Sequence, residues 1–394
     1  MFIERLHIDQ VRNLDAVSIN NLSLINCFIG DNGSGKTSLL ESIAIVSQGR
    51  SFRHHKIQTV IQLGKPELRI FVECRNDNGT LYKLGIQRDR DNRYLIRING
   101  ETVNSLAELS SILPVLIIDA SAFELLDGAP SLRCRFIDWA VFHVEHQFYE
   151  CWRRFNRILK HRNSLLKAGI KNYAELEAWD IELAKLAIKI EKYRLDFLIN
   201  YQPLLDEVLQ YLDSDLSAHD IFYRNGWASD KVAFADVKNA ADKLFNVEAL
   251  SQQLRNSFAR DSKYQRTHLG PQRADLQIRL AGSNNDVRDI YSRGQKKILI
   301  AAMKLAQAKL LYLQRGIRPI LLLDDLPAEL DSRHLQKLLD FIVSESLQTF
   351  ISSVDSFLPE AQASNIETKF QMFHLERGRI DTFTGIQKQE IDDE

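Results

Sequence analysis

The sequence predicts an α/β fold that carries an antiparallel β-subdomain and is interrupted by an α-helical hairpin. Three observations lead there. An apolar run at 22–29 enters a glycine-rich turn, and helical periodicity follows at Leu39, Leu40, Ile43 and Val46; that is a strand–loop–helix unit. Residues 68–74, 80–87 and 94–98 alternate as antiparallel strands do, with Asp77-Asn78-Gly79 and Asn99-Gly100 as hairpin turns. From 150 to 212 the chain is rich in Leu, Lys, Glu and Arg and holds one glycine, Gly169.

The glycine-rich turn carries the clearest chemistry. Gly30-Asp31-Asn32-Gly33-Ser34-Gly35-Lys36-Thr37 matches G-x-x-x-x-G-K-[ST] at every fixed position, and Ser38 follows. Its glycines let backbone N–H groups converge on one anion, and the helix start adds partial positive charge. Lys36 is expected to reach the β- and γ-phosphates of ATP, and the Thr37 hydroxyl to ligate Mg²⁺. A second apolar run at 320–323 ends in Asp324 and Asp325. In a P-loop ATPase the first acid serves Mg²⁺ and the second orients or deprotonates the attacking water. The catalytic candidates are therefore Asp325 and Lys36, and the metal candidates Thr37 and Asp324.

Composition bounds the rest. The 394 residues suffice for two or three domains, and 45% hydrophobic with 26% charged residues describes a globular chain. Net charge is −1, so any nucleic-acid surface has to be a local patch. Cys27, Cys74, Cys134 and Cys151 lack C-x-x-C spacing, which argues against a zinc site or a disulfide framework. No apolar run reaches 18 residues, and Met1-Phe2-Ile3-Glu4-Arg5 has no signal-peptide pattern. A cytoplasmic protein without a membrane span is expected.

Along the chain, residues 1–29 read as two short strands around a polar link holding Arg12-Asn13-Leu14, then the apolar strand. Arg12 is either a solvated turn residue or a nucleotide contact. Gly49-Arg50-Ser51-Phe52-Arg53-His54-His55-Lys56 is either a solvated loop or a binder of phosphate or DNA. Residues 113–118 read as another buried strand. Leu176, Trp179, Leu183, Leu186, Ile190, Tyr193 and Phe197 keep 3,4 spacing over three heptads, as do Trp152, Phe155, Leu159 and Leu166 with Arg162 between. A turn at Ala168-Gly169-Ile170 folds the two helices into a hairpin, and Pro203 stops or kinks the second. Arg153, Arg154, Arg157, Lys160, His161, Arg162 and Lys167 make the first helix basic: a solvated face, or a DNA-contacting one. Residues 213–262 are less legible. A tight turn at 267–275 precedes a strand at 276–280, and an apolar helix spans 298–313. Three segments are expected: 1–125 with the P-loop and β-subdomain, 126–262 as helical arm, and 263–394 as the second half of the core.

Tyr291-Ser292-Arg293-Gly294-Gln295-Lys296, just before that apolar helix, resembles the signature sequence of ABC-type ATPases. The resemblance implies that Ser292, Gly294 and Gln295 grip the γ-phosphate of ATP held by a second subunit, in an ATP-dependent homodimer. Glu329-Leu330-Asp331 matches the loop that communicates across such a dimer.

Nearly the whole chain resembles the RecF family within this ABC-type, SMC-like class. The residues that carry it are Arg12-Asn13, the P-loop with Ser38, Gly49 to Arg53, Arg133 to Trp139, Phe142-His143, Lys160-His161-Arg162-Asn163, Gly270-Pro271, Ala274-Asp275-Leu276, Ser292 to Gln295, and Asp324-Asp325 with Glu329-Leu330-Asp331. The resemblance implies an ABC-type ATPase head, its P-loop α/β core carrying the antiparallel β-subdomain, plus an inserted α-helical hairpin arm domain. It further implies weak, DNA-stimulated ATP hydrolysis and binding of double-stranded DNA and single-strand/double-strand junctions. RecR and RecO are the implied mediator partners, with RecA loaded downstream in replication, recombinational repair and the SOS response. Two positions depart from the pattern. Asp119-Ala120-Ser121 stands where the family has Pro-Glu, and Ser352-Ser353-Val354-Asp355 stands where transporter ATPases carry a switch His. Both departures fit slow hydrolysis. The alternative is an SMC-like or transporter-type ABC ATPase subunit with another partner. The long stretch between Thr37 and Ser292 argues against a transporter subunit, and the shortness of the heptads against an SMC arm. Asp325 argues against a nucleotide-binding module with no catalysis.

Overall fold

The structure is a computed structural model that describes the chain except residues 55, 217–218, 228–231, 234–245, 326–329, 355–368 and 384–394. In chain order the elements begin with β1 (Phe2–Val11), β2 (Leu14–Asn20), β3 (Ile25–Ile29), α1 (Lys36–Gln48), β4 (Glu67–Arg75), β5 (Leu81–Asp89), β6 (Tyr94–Ile98), β7 (Glu101–Val103), α2 (Leu106–Ile112) and β8 (Val115–Ile118). Then come α3 (Glu124–Asp127), α4 (Pro130–Val144), α5 (Phe148–Lys167), α6 (Glu177–Leu212), β9 (His219–Arg224), β10 (Val232–Ala233), α7 (Val247–Asn256) and α8 (Phe258–Tyr264). Last are β11 (Asp275–Leu280), α9 (Val287–Ile290), α10 (Arg293–Arg315), β12 (Ile320–Asp324), α11 (Ser332–Ser344), β13 (Thr349–Ser353), β14 (Phe370–Glu376) and β15 (Arg379–Phe383).

The chain forms two compact units, Met1–Ser121 with Leu311–Glu394, and Ala122–Leu310. Residues 263–310, assigned to the core on sequence, group with the helical segment, because β11 pairs with β9 along its whole length.

The first unit holds two sheets. One is antiparallel in the order β2-β1-β4-β5-β6-β7; the other runs β15-β14-β3-β13-β12-β8 and is parallel from β14 to β8. Strands β3, β12 and β13 are buried along nearly their whole length. Strands covered on both faces read as continuous apolar runs, which is why the sequence shows runs there and alternation in β4 and β5. Helix α1 packs against β1, β4 and β5 and also against β12 and β13. Eleven of its thirteen residues are buried, as expected of a helix enclosed on most sides.

The second unit is built on α5 and α6, which pack together as the expected hairpin around Gly169. Two details differ from the sequence reading. Helix α6 continues through Pro203 to Leu212; Tyr201, Leu205 and Val208 are fully buried there, and their packing outweighs the ~3 kcal/mol cost of an internal proline. The heptad seam is also broader than a coiled coil's. Trp152 and Trp179 stay 40% and 39% exposed while Ile158 and Ile188 go inside, because α6 packs on α4 and α7 as well as α5.

A third difference concerns charge. Arg162 is fully buried and leaves the basic face of α5. It donates to Asp180 at 2.6 and 3.2 Å, to Asp261 at 2.7 Å and to Thr267 at 2.9 Å. Burying a guanidinium requires such pairing, and this one ties α5 to α6 and α8. Arg194 holds Asp138 at 2.8 Å, and Arg133 holds Asp275 at 2.7 Å. Among the described residues no helix is long and apolar enough to cross a membrane.

Arg162→Ala would strand two buried carboxylates. We expect it to destabilise the second unit by about 3–5 kcal/mol, read as a lowered denaturant midpoint. An unchanged midpoint would show that the pairing carries no stability.

Candidate nucleotide site

The glycine-rich loop leaves β3, which lies between β14 and β13. Gly30 has φ +152°, and a Cβ there would sit 2.2 Å from the Leu375 carbonyl oxygen; Gly35, at φ +119°, would meet a Leu14 methyl at 2.8 Å. These two positions therefore exclude side chains on both torsional and steric grounds. Neighbouring turns hold the loop's carbonyls. The Asn13 amide donates to Gly33 O at 2.9 Å, and Gly378 N–H to Ser34 O at 2.9 Å. The Ser38 hydroxyl donates to Asn13 Oδ1 at 3.3 Å.

The interior of the loop fits an anion. Helix α1 begins at Lys36 with no side-chain cap, so its first N–H groups lack intrahelical acceptors. The Lys36 ammonium curls back onto the carbonyls of Gly30 (2.5 Å) and Asp31 (2.9 Å). Ser34 Oγ is buried with no hydrogen-bond partner among the described residues. Asp31, Asn32 and Gly33 are exposed. A phosphate would satisfy the uncapped N–H groups, the orphaned hydroxyl and the ammonium together.

The acids meet this loop across 287 residues of sequence. Thr37 Oγ1 donates to Asp324 Oδ1 at 2.8 Å, and Ser352 Oγ donates to the same oxygen at 2.7 Å. Strand register causes this: Asp324 pairs with Ser352, and Ser352 with Phe28, just ahead of the loop. Asp325 turns away at φ +56°, and its N–H donates to Ser352 Oγ at 2.9 Å. Burial pushes the Asp324 carboxyl up, while the hydrogen bonds from Ser352 and Thr37 and the Arg53 charge pull it down. One hydroxyl and one carboxylate are the sparse oxygen set that suits Mg²⁺, an ion that keeps waters and takes substrate phosphates. The residues therefore fit both ATP and Mg²⁺.

The other expected site residues fall as follows. Arg12 is bound through Nε and Nη2 to Glu41, which is fully buried within α1 and also accepts from the Ser51 hydroxyl. Asp119 follows Ile118, which pairs with Leu323, so the register carries it alongside Asp324; Ser121 Oγ donates to it at 2.9 Å. Of the stretch that stands where transporter ATPases carry a switch His, Ser352 is the residue bonded to Asp324. Ser292, Gly294 and Gln295 lie in the second unit and open α10. Ser292 N–H donates to Gln295 Oε1 at 2.9 Å, and Gln295 N–H to Ser292 Oγ at 3.3 Å. This reciprocal pair is a capping box. Asp331 caps α11 through His334 N–H at 2.9 Å. Glu329, Asp355 and His55 lie outside the described residues.

Sequence reasoning missed Glu41, Gly378 and the linking role of Ser352. A lone acid inside the apolar run of α1 was the available signal for Glu41. Gly378 and Ser352 act through strand pairing, and no local pattern marks them.

A P-loop on a parallel sheet, a double-acid strand, an antiparallel subdomain and a capped signature helix define the head of an ABC-type, SMC-like ATPase. Residues 2–379 match the family model described as the RecF/RecN/SMC N terminal domain. The chain belongs to the RecF family. It is 38% identical to the DNA replication and repair protein RecF of Cellvibrio japonicus over 96% of this chain and 99% of that one. It is 37% identical to the protein of the same name from Pseudomonas aeruginosa, over 98% and 99%. A solved structure of the recombination mediator protein RecF with ATP, in the RecFOR pathway, superposes with a TM-score of 0.83 at 25% identity, covering 97% of both chains. An Smc head bound to the C-winged helix domain of ScpA shares the fold, with a TM-score of 0.57 at 14% identity and 98% of both chains covered.

Ser352→Ala removes the donor to Asp324 and the acceptor for Asp325 N–H. We expect ATP turnover to fall about 10- to 100-fold with nucleotide affinity nearly unchanged, measured by phosphate release and by titration. Unaltered turnover would make Ser352 a packing residue only.

Proposed function

We propose that the chain binds ATP with Mg²⁺ at Gly30 to Ser38, pairs as a homodimer while the nucleotide is held, and binds DNA at single-strand gaps and junctions. It hydrolyses ATP slowly, with stimulation by DNA, and acts in replication and recombinational repair. The observation that carries this is the meeting of the Thr37 and Ser352 hydroxyls on Asp324, beside an uncapped helix start and an unpartnered Ser34 hydroxyl. The relatives' names support the DNA-repair setting. The family resemblance adds RecR and RecO as mediator partners and RecA as the recombinase loaded downstream.

The residues divide the work. The Lys36 ammonium exchanges the Gly30 and Asp31 carbonyls for β- and γ-phosphate oxygens, and the first N–H groups of α1 take the remaining oxygens. Thr37 and Asp324 would hold Mg²⁺, which when bound neutralises phosphate charge. Asp325, its backbone anchored on Ser352, orients water for in-line attack. Ser292 of a second subunit still has its hydroxyl proton to donate, because its oxygen already accepts from Gln295; with Gly294 and Gln295 it closes over the γ-phosphate. Cleavage removes the group that both subunits grip, and the dimer opens.

Light scattering with and without ATP–Mg²⁺ and duplex DNA tests this. Wild type is expected to dimerise only with nucleotide, and Asp325→Asn to accumulate as a DNA-holding dimer that releases no phosphate. A chain that binds ATP and never pairs would overturn the dimer. Lys36→Ala removes a full charge from the phosphate site, so nucleotide affinity should fall at least tenfold by titration; equal affinity would remove Lys36 from the site. Ser292→Arg should block pairing while leaving monomer ATP binding intact, and a normal ATP-dependent dimer would reject the signature assignment.

A further inference from the structure

The second unit contains a cavity of about 680 Å³ unconnected with any residue assigned above to ATP. Its wall carries Arg224, Arg260, Arg266, Arg273, His268 and Trp227, and among the described residues no acidic one lines it. By contrast, the buried Arg133, Arg162 and Arg194 of this unit are each paired with an aspartate. Arg224, Arg260 and Arg273 are exposed, and none makes a side-chain hydrogen bond or ion pair with a described residue. Arg266 donates to His268 Nε2 at 3.3 Å, and His268 Nδ1 is held by Asp261 at 2.8 Å. Asp261 in turn accepts from Arg162 through its other oxygen. The start of α4 opens on the same cavity: Ala129 and Pro130 line it, and Ala129 gives α4 no side-chain cap.

Four guanidinium groups around one concavity select phosphate oxygens. Trp227 adds an aromatic face of the kind on which bases stack. The volume lies in the range of sites that enclose a small ligand. A duplex presents its phosphates on a convex rod and cannot enter such a space, whereas a single strand can turn one nucleotide inward.

We propose that this cavity receives one unpaired nucleotide of single-stranded DNA, its phosphates on Arg224, Arg260, Arg266 and Arg273 and its base on Trp227. The proposal rests on the reading of the chain as a DNA-binding protein, and gives that reading a single-strand site distinct from any duplex surface. His268 couples the site to the fold, since it joins Arg266 at the cavity wall to the buried Asp261–Arg162 pair that ties α5 to α6 and α8.

The test uses the full chain with ATP–Mg²⁺, a fluorescein-labelled oligothymidylate and a labelled duplex, with anisotropy measured over a series of salt concentrations. Two variants are compared with wild type: Arg260→Ala/Arg273→Ala, and Trp227→Ala with Trp227→Phe as its conservative control. For the single strand, the double arginine variant should lower the slope of log affinity against log salt by about 1.4, at about 0.7 per lost phosphate contact. Trp227→Ala should weaken binding about tenfold, and Trp227→Phe should restore most of it. Duplex binding and ATP binding should stay within twofold of wild type in the arginine variant, whose substituted side chains are exposed. Single-strand binding unchanged in the arginine variant overturns the proposal. Wild type that binds duplex and not oligothymidylate also overturns it, while leaving the DNA-binding reading intact. Wild type that binds ATP and neither form of DNA overturns both.

Discussion

The hydrogen bond from Thr37 to Asp324 is the constraint on which the first unit depends. It joins the first turn of α1 to the end of β12, and it forms only when β3, β13 and β12 lie side by side in register. Ser352, on the strand between them, donates to the same carboxylate oxygen and accepts from the next residue's N–H. A shift of one residue in β13 would turn Ser352 to the opposite face of the sheet and separate the two acids from the loop. The apolar interior of these strands therefore does more than bury surface. It fixes the position of three polar groups at the C-terminal ends of the strands.

In the second unit, the organising groups are buried arginines. Arg133, Arg162 and Arg194 each join segments distant in sequence; Arg133 and Arg194 are matched by a carboxylate and carbonyls, and Arg162 by two carboxylates and the Thr267 hydroxyl. A buried pair of this kind contributes little net stability compared with apolar packing, but removing one partner is costly. Its effect is to specify which helices meet. The exposed arginines around the cavity have no such partners among the described residues, and the contrast separates charge used for architecture from charge available to a ligand.

Much of the nucleotide site was legible because its chemistry restricts residue types over a short span: glycines at Gly30 and Gly35, then Lys36 and Thr37, and an apolar strand ending in two acids. The antiparallel subdomain was legible through its alternation and its Asn-Gly turns. What stayed hidden depended on partners far away in sequence. Arg162 looks like one more cation on a basic helix until Asp180 and Asp261 are seen beside it, the latter 99 residues on. Residues 213–262 gave no pattern because β9 is completed by β11, outside that window. Pro203 read as a stop or a kink, and the choice between them stayed open because local sequence does not register the burial of Tyr201 and Leu205.

The clamp on the glycine-rich loop has a temporal consequence. Gly30 lies against the Leu375 carbonyl, and Ser34 O is held by Gly378 N–H. Ribosomes make the loop early and these two supports more than three hundred residues later. A nascent chain that has emerged only through α1, or through the whole helical unit, displays the nucleotide motif without the wall that shapes it. A chain interrupted before β14 has docked beside β3 would carry the motif without that wall.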